Sequence, residues 1–154
     1  MPSRSNERFL TIREFGAIGN GTSFAMGVAA ARPDSKVVLF DGDGSLLMNI
    51  QEMETISRHQ MKILIVVMND GAYGSEVHKL RSEGLSEEGS VFGYTDFASV
   101  ARGFGLDGHT VTDIAQIPAL VETFKQSSKG AVWDMRVSDK VVSRITRTAH
   151  PQRK

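Results

Sequence analysis

The chain has 154 residues, with 18 Lys+Arg balanced by 18 Asp+Glu, no Cys and 40% hydrophobic residues. This length fits one domain with its own core, and a formal net charge of +0 without long runs of one sign excludes nucleic-acid or anionic-membrane binding driven by bulk electrostatics. The absence of Cys excludes disulfides, a thiolate nucleophile and Cys-ligated metal centres, and suits a reducing compartment, so the expected location is cytoplasmic.

Residues 1–8 read as an N-terminal extension. Its charges, with Arg13 and Glu14 beyond, leave no apolar core for a signal peptide. No run approaches the ~18 apolar residues of a membrane span, so no membrane partner is expected. Phe9 to Ile12 is the first expected strand, and Gly16-Ala17-Ile18-Gly19-Asn20-Gly21 follows as a Gly-rich turn. A helix is expected over Thr22 to Arg32, rich in small residues and stopped by Pro33. Lys36 to Phe40 is the second strand, followed by the polar turn Asp41-Gly42-Asp43-Gly44-Ser45. Leu46, Ile50, Met53 and Ile56 then recur at helical spacing, which predicts one helix over Leu46 to His59 with Ser45 as its cap. Ile63 to Met68 is the third strand. Like the second it is almost continuously apolar, as strands covered on both faces are.

After it comes Asn69-Asp70-Gly71-Ala72-Tyr73-Gly74. The charged segment Arg81 to Tyr94 carries Gly84, Gly89 and Gly93 and reads as a mobile excursion. A short helix is expected over Asp96 to Arg102, with Thr95 as cap and Gly103 as stop. His109 to Val111 is a short fourth strand. Ile117, Leu120, Val121 and Phe124 make a helical stripe with Pro118 in its first turn, and Ala131 to Val137 is a fifth strand. Residues 140–154 form a basic tail, with Arg144, Arg147, Arg153 and Lys154 expected in solvent. The alternation predicts an α/β three-layer sandwich, a mostly parallel sheet with helices on both faces, occupying residues 9–139.

Ligands of open parallel sheets bind outside the carboxyl ends of the strands, so the three Gly-rich segments should converge on one edge. Glycines beside Asp43 allow close backbone approach, and a helix start nearby supplies N–H donors that suit a phosphate. A carboxylate next to a phosphate repels it unless a cation lies between. Asp43 and Asp70 together therefore suggest Mg²⁺ bridging to a diphosphate. Either turn alone is a common structural motif; their joint placement after consecutive buried strands carries the reading. Gly19-Asn20-Gly21 is not a dinucleotide fingerprint, because Phe24 stands at the third glycine position.

These segments resemble the diphosphate-binding motif of thiamine-diphosphate enzymes, in the acetolactate synthase, benzoylformate decarboxylase and pyruvate oxidase group. The resemblance spans about Phe9 to Val137. It implies thiamine diphosphate and Mg²⁺ as cofactors, with Asp43, Asp70 and the Ala72 carbonyl as metal ligands. It also implies cofactor contacts at Gly16, Ala17, Ile18, Gly42, Gly44, Ser45, Tyr73 and Gly74, Ile18 acting as the wedge under the bent cofactor. The family usually has Asn where Asp70 stands, and a Pro near Ser23 is missing. The implied activity is decarboxylation or carboligation of a 2-oxo acid. The implied catalytic Glu belongs to a separate pyrimidine-binding domain or subunit, so the isolated chain is expected to be inactive and the working form oligomeric. An alternative within the family is the β chain of a two-subunit decarboxylase of the sulfopyruvate or phosphonopyruvate type. A non-catalytic module that only binds cofactor or packs on a partner is a second class.

A rival resemblance uses the same residues. Asp41-Gly42-Asp43-Gly44-Ser45 is similar to the strand-end motif of haloacid-dehalogenase-like phosphatases, which would make Asp41 the nucleophile and Asp43 the general acid. It leaves the Gly16 and Asn69 segments without a role. His78 is a candidate substrate-facing residue, against the simpler reading of a solvated helix position. Met48 sits where it could touch cofactor, and His59 reads as a structural helix end.

Overall fold

In the computed structural model, which describes residues 8–11 and 14–149, the apolar run from Ile63 to Val67 becomes the middle of a parallel sheet. Its strands are β1 (Val37–Gly42), β2 (Ile63–Asn69), β3 (Asp107–Val111) and β4 (Ala131–Arg136), in the order β1-β2-β4-β3. Every neighbouring pair is parallel; Val37 stands opposite Ile63, and Asn69 opposite Arg136. The helices are α1 (Gly21–Ala31), α2 (Asp43–Met48), α3 (Glu52–Arg58), α4 (Gly74–Glu83), α5 (Phe97–Gly103), α6 (Ile117–Gln126) and α7 (Arg144–Ala149).

Side chains of a strand alternate between faces, and the alternation here divides the core in two. Val37, Ile63, Ile65, Val67 and Val132 join Ala25 of α1, Leu46 of α2, Met53 and Ile56 of α3, and Phe97 and Ala101 of α5. Leu64, Val66, Ala131 and Trp133 turn the other way, against Val111 and Phe124 of α6. The expected three layers are present. On this second face the β1 end is open, where Val38 and Phe40 are exposed.

Local signals and tertiary packing disagree at several points. Phe9 to Thr11 form no strand, and Ile12 lies outside the described residues. Phe9 and Leu10 are 54% and 59% exposed, so they gain little of the roughly 1.5–3 kcal/mol that a fully buried large apolar side chain contributes. β propensity without a covering layer does not make a strand. The helix expected over Leu46 to His59 is two helices, α2 and α3, because Asn49 leaves helical geometry (φ −136°, ψ 34°) and gives its side-chain amide to the Gly19 carbonyl. Ser45 lies inside α2 instead of capping it; extended Gly42 stands at the cap position. Asp96, not Thr95, caps α5, its Oδ1 accepting from the Ser99 amide at 2.9 Å. The first residues of the supposed excursion end α4, and its return is tied down, as described below. The basic tail includes a helix, α7, with Arg144 and Arg147 exposed; Arg153 and Lys154 lie outside the described residues.

Candidate functional site

The carboxyl ends of β1 and β2 meet the first turn of α2 and the turn that enters α4. Asp43 is the hinge of this meeting. It is 2% exposed, its Oδ1 accepts from the Gly44 amide at 2.8 Å, and its Oδ2 accepts from the Gly71 amide at 2.7 Å. One carboxylate thus fastens the β2 turn to the start of α2. Gly71 has φ +75°, which suits glycine, and a Cβ there would press on the Gly93 backbone at 3.0 Å.

Asp70, partly buried, accepts from the Ala72 amide through Oδ1 at 3.2 Å, the local turn that an Asp side chain makes with the backbone two residues on. A Cβ on Gly74 would collide with Asp70 Oδ2, so glycine at 74 leaves that oxygen its room. A Cβ on Gly44 would lie 2.5 Å from the Tyr73 ring, which itself meets Phe92 edge to face at 5.1 Å. Ala72 is buried, and Tyr73 and Gly74 open α4.

The Gly16 segment reaches the same edge through its far end. Gly19 (φ +93°) is buried, and its amide donates to Ser45 Oγ at 2.9 Å. Its carbonyl accepts from Asn49, and a Cβ there would strike Met48 at 2.5 Å. Gly21 packs against Asp41, whose Oδ2 lies 3.0 Å from the place a Cβ would take. Gly16, Ala17 and Ile18 are exposed. The segments around 19–21, 41–45 and 69–74 are therefore brought together, while Gly16, Ala17 and Ile18 stand out from them in solvent.

Burial raises the pKa of Asp43, opposed by the Gly44 and Gly71 amides, and the nearby Asp70 charge raises it further. Burial also raises Asp41, opposed by the Ser45 hydroxyl and the Gly42 amide. The two carboxylates of Asp43 and Asp70, at the ends of adjacent strands, repel one another. A phosphatase role sits poorly here. Both oxygens of Asp43 already hold backbone amides, so it lacks the freedom of a general acid.

Residues that sequence reasoning passed over complete the site. Asn69, fully buried, donates through Nδ2 to Asp134 Oδ1 at 2.7 Å and to the Thr95 carbonyl at 2.9 Å. Arg136 donates to Asp134 Oδ2 at 2.8 Å and to the same Thr95 carbonyl at 3.3 Å, with its guanidinium 4.8 Å from the Tyr94 ring centre. The return segment is held at Gly71 too, whose carbonyl accepts from the Phe92 and Gly93 amides at 2.9 and 2.8 Å. The signals were a polar residue at the end of an apolar strand (Asn69) and a charged pair in an otherwise apolar one (Asp134 and Arg136). Their partners lie too far along the chain to be paired by spacing. His78 is partly buried on α4, and Met48 is 51% exposed beside Gly19.

Among known proteins, the family model "Thiamine pyrophosphate enzyme, C-terminal TPP binding domain" matches residues 1–135. The large subunit of acetolactate synthase isozyme 1 from Escherichia coli is 43% identical over 111 residues, covering 69% of this chain and 19% of that protein. The isozyme 2 large subunit of the same organism is 32% identical over 123 residues, covering 79% of this chain and 22% of that protein. A solved thiamine diphosphate-dependent 4-hydroxybenzoylformate decarboxylase from Rhodococcus jostii RHA1 shares the fold with a TM-score of 0.72 at 24% identity, over 80% of this chain and 24% of that one. The chain thus spans about a fifth to a quarter of the length of these relatives.

Proposed function

Since the chain belongs to the thiamine pyrophosphate enzymes, as their C-terminal TPP-binding domain, we propose that it binds thiamine diphosphate through Mg²⁺ as the diphosphate-side domain of an acetolactate synthase-like 2-oxo acid decarboxylase or carboligase. The observation that supports this reading most directly is the joining of the two acidic turns by the Asp43 carboxylate, which brings Asp70 and the Ala72 turn beside Gly44 and Ser45. The residues fit the group. Two carboxylates and a backbone carbonyl suit a hard, oxygen-seeking cation, and the mutual repulsion of Asp43 and Asp70 is relieved by one. The glycines at 44 and 74 let the Tyr73 ring and Asp70 Oδ2 close onto the backbone of the two turns, which a Cβ at either position would prevent.

Asp43, Asp70 and the Ala72 carbonyl would hold the metal. Gly42, Gly44, Ser45, Tyr73 and Gly74 would hold the diphosphate end, and Gly16, Ala17 and Ile18 would reach the rest of the cofactor from solvent. When bound, the cofactor would supply an electron sink for the carbon that loses CO₂ or bonds to a second carbonyl carbon. What this chain would do is bind and orient: Asp43, whose two oxygens accept from the Gly44 and Gly71 amides, would face the metal while keeping the Gly71 turn in place. Proton transfer to the cofactor would fall to a Glu on a separate pyrimidine-binding domain, with a 2-oxo acid as substrate.

Calorimetric titration with thiamine diphosphate in Mg²⁺ tests the site. The wild-type chain is expected to bind saturably, and Asp43→Ala to lose at least the roughly 10–100-fold typical of a disturbed metal centre. Undiminished binding by Asp43→Ala would sink the assignment.

A further inference from the structure

We infer that Arg136 and Asp134 are positioning residues for the turn carrying Asp70, acting as a clip that closes the Val91–Thr95 return over it; the metal-site part of this inference rests on the cofactor reading above. The chain of contacts is continuous. Asp134, 0% exposed, receives the Asn69 side-chain amide on one oxygen and Arg136 on the other. Asn69 and Arg136 both donate to the Thr95 carbonyl, so β2, β4 and the return segment meet at one carbonyl oxygen. From Thr95 the segment runs back under Tyr94, stacked on Arg136, to Gly93 and Phe92, whose amides hold the Gly71 carbonyl. The Gly71 amide in turn holds Asp43. Asn69 and Gly71 flank Asp70 on either side. The clip therefore fixes both neighbours of the second metal-ligand candidate.

This cluster is poorly designed for stability alone. Asn69 Oδ1 and Arg136 Nη1 are buried and have no hydrogen-bond partner in the structure. A buried unmet polar atom costs on the order of 1–3 kcal/mol, and a buried ion pair can often be replaced by apolar residues without loss of stability. Purely structural packing at this spot would be served better by apolar side chains. What the polar version supplies is a fixed position for the Thr95 end of the return segment against the paired ends of β2 and β4.

The test uses the full chain, its Arg136→Met and Arg136→Lys variants, Mn²⁺ as a paramagnetic substitute for Mg²⁺ in the presence of thiamine diphosphate, and amide hydrogen exchange without either. Arg136→Met is expected to weaken Mn²⁺ binding about 10–100-fold, as loss of an outer-shell partner does. It should also speed exchange at the Gly71, Phe92 and Gly93 amides while Ile65 and Val132 keep their protection. Arg136→Lys, which retains a cation but not the planar guanidinium against the Tyr94 ring, should fall between the two. Mn²⁺ affinity within twofold of wild type, with Gly71 exchange unchanged, overturns the inference. Should Arg136→Met lose protection at Ile65 and Val132 as well, Arg136→Lys decides by the same two readouts. Failure of the wild-type chain to bind Mn²⁺ and cofactor would refute the cofactor reading instead, and Gly71 exchange would still judge the clip.

Discussion

Asp134 shows how one residue carries both structure and pH dependence. Burial raises its pKa above the ordinary 3.8, against the pull of Asn69 and the Arg136 charge. The folded state therefore keeps the proton over a pH range where the unfolded chain has released it. By linkage, that contribution to stability is full below about pH 3.8 and is lost as pH rises through the higher folded value. Asp134→Asn removes the titrating group, and urea midpoints from pH 4 upward should decline less steeply than in wild type; an identical slope would show that Asp134 titrates normally. The same residue marks the limit of what sequence can show. Asp43 and Asp70 were legible because each sits inside a short turn with its own glycines. Asn69 and Asp134, by contrast, meet across 65 positions, and Asn69 and Thr95 across 26, separations that leave no periodic trace. Gly19 was overlooked as a contact for a related reason: its role depends on Ser45 and Asn49, which only the folded crossover brings to it.

At the scale of elements, apolar pattern located the four strands and most helices, and at α5 a capping side chain fixes the start. α5 is seven residues long and holds the fully buried Phe97, so its start matters beyond its length. Asp96 accepts from the Ser99 amide through Oδ1 and from its hydroxyl through Oδ2, at 2.9 and 2.6 Å. Asp96→Ala should cost about 1 kcal/mol, the usual loss at an N-cap, seen as a lower urea midpoint with an unchanged slope. Thr95→Val should cost no capping energy, because Thr95 contributes its carbonyl to Asn69 and Arg136, not its hydroxyl to α5. Where pattern misled, a tertiary demand had overridden it. Leu46, Ile50, Met53 and Ile56 do keep one helical phase across Asn49, yet the chain breaks there to satisfy the Gly19 carbonyl. Phe9 to Thr11 have residue types that favour a strand but find no layer to bury them.

For the molecule as a whole, a formal net charge of +0 conceals an acidic edge at Asp41, Asp43 and Asp70, the first two with pKa values raised by burial. On the proposed reading a bound cation would lower the cost of holding such an edge near neutral pH, so binding and folding would be coupled there. Binding, however, is only half of the chemistry proposed. On that proposal the residues of this domain would address the metal and the diphosphate, whereas turnover would also require a proton to be moved at the far ring of the cofactor, and the chain aligns with only 19% of the acetolactate synthase isozyme 1 large subunit. The two functions should therefore separate in experiment. The purified chain, given Mg²⁺, thiamine diphosphate and pyruvate, is expected to bind cofactor in the calorimeter yet release CO₂ no faster than a protein-free control. Adding a pyrimidine-binding domain from an acetolactate synthase-like enzyme should raise the rate only when Asp43 is intact. Sustained CO₂ release by the chain alone would mean that it supplies its own proton-transfer group, and the division of labour argued from its strand ends would have to be abandoned.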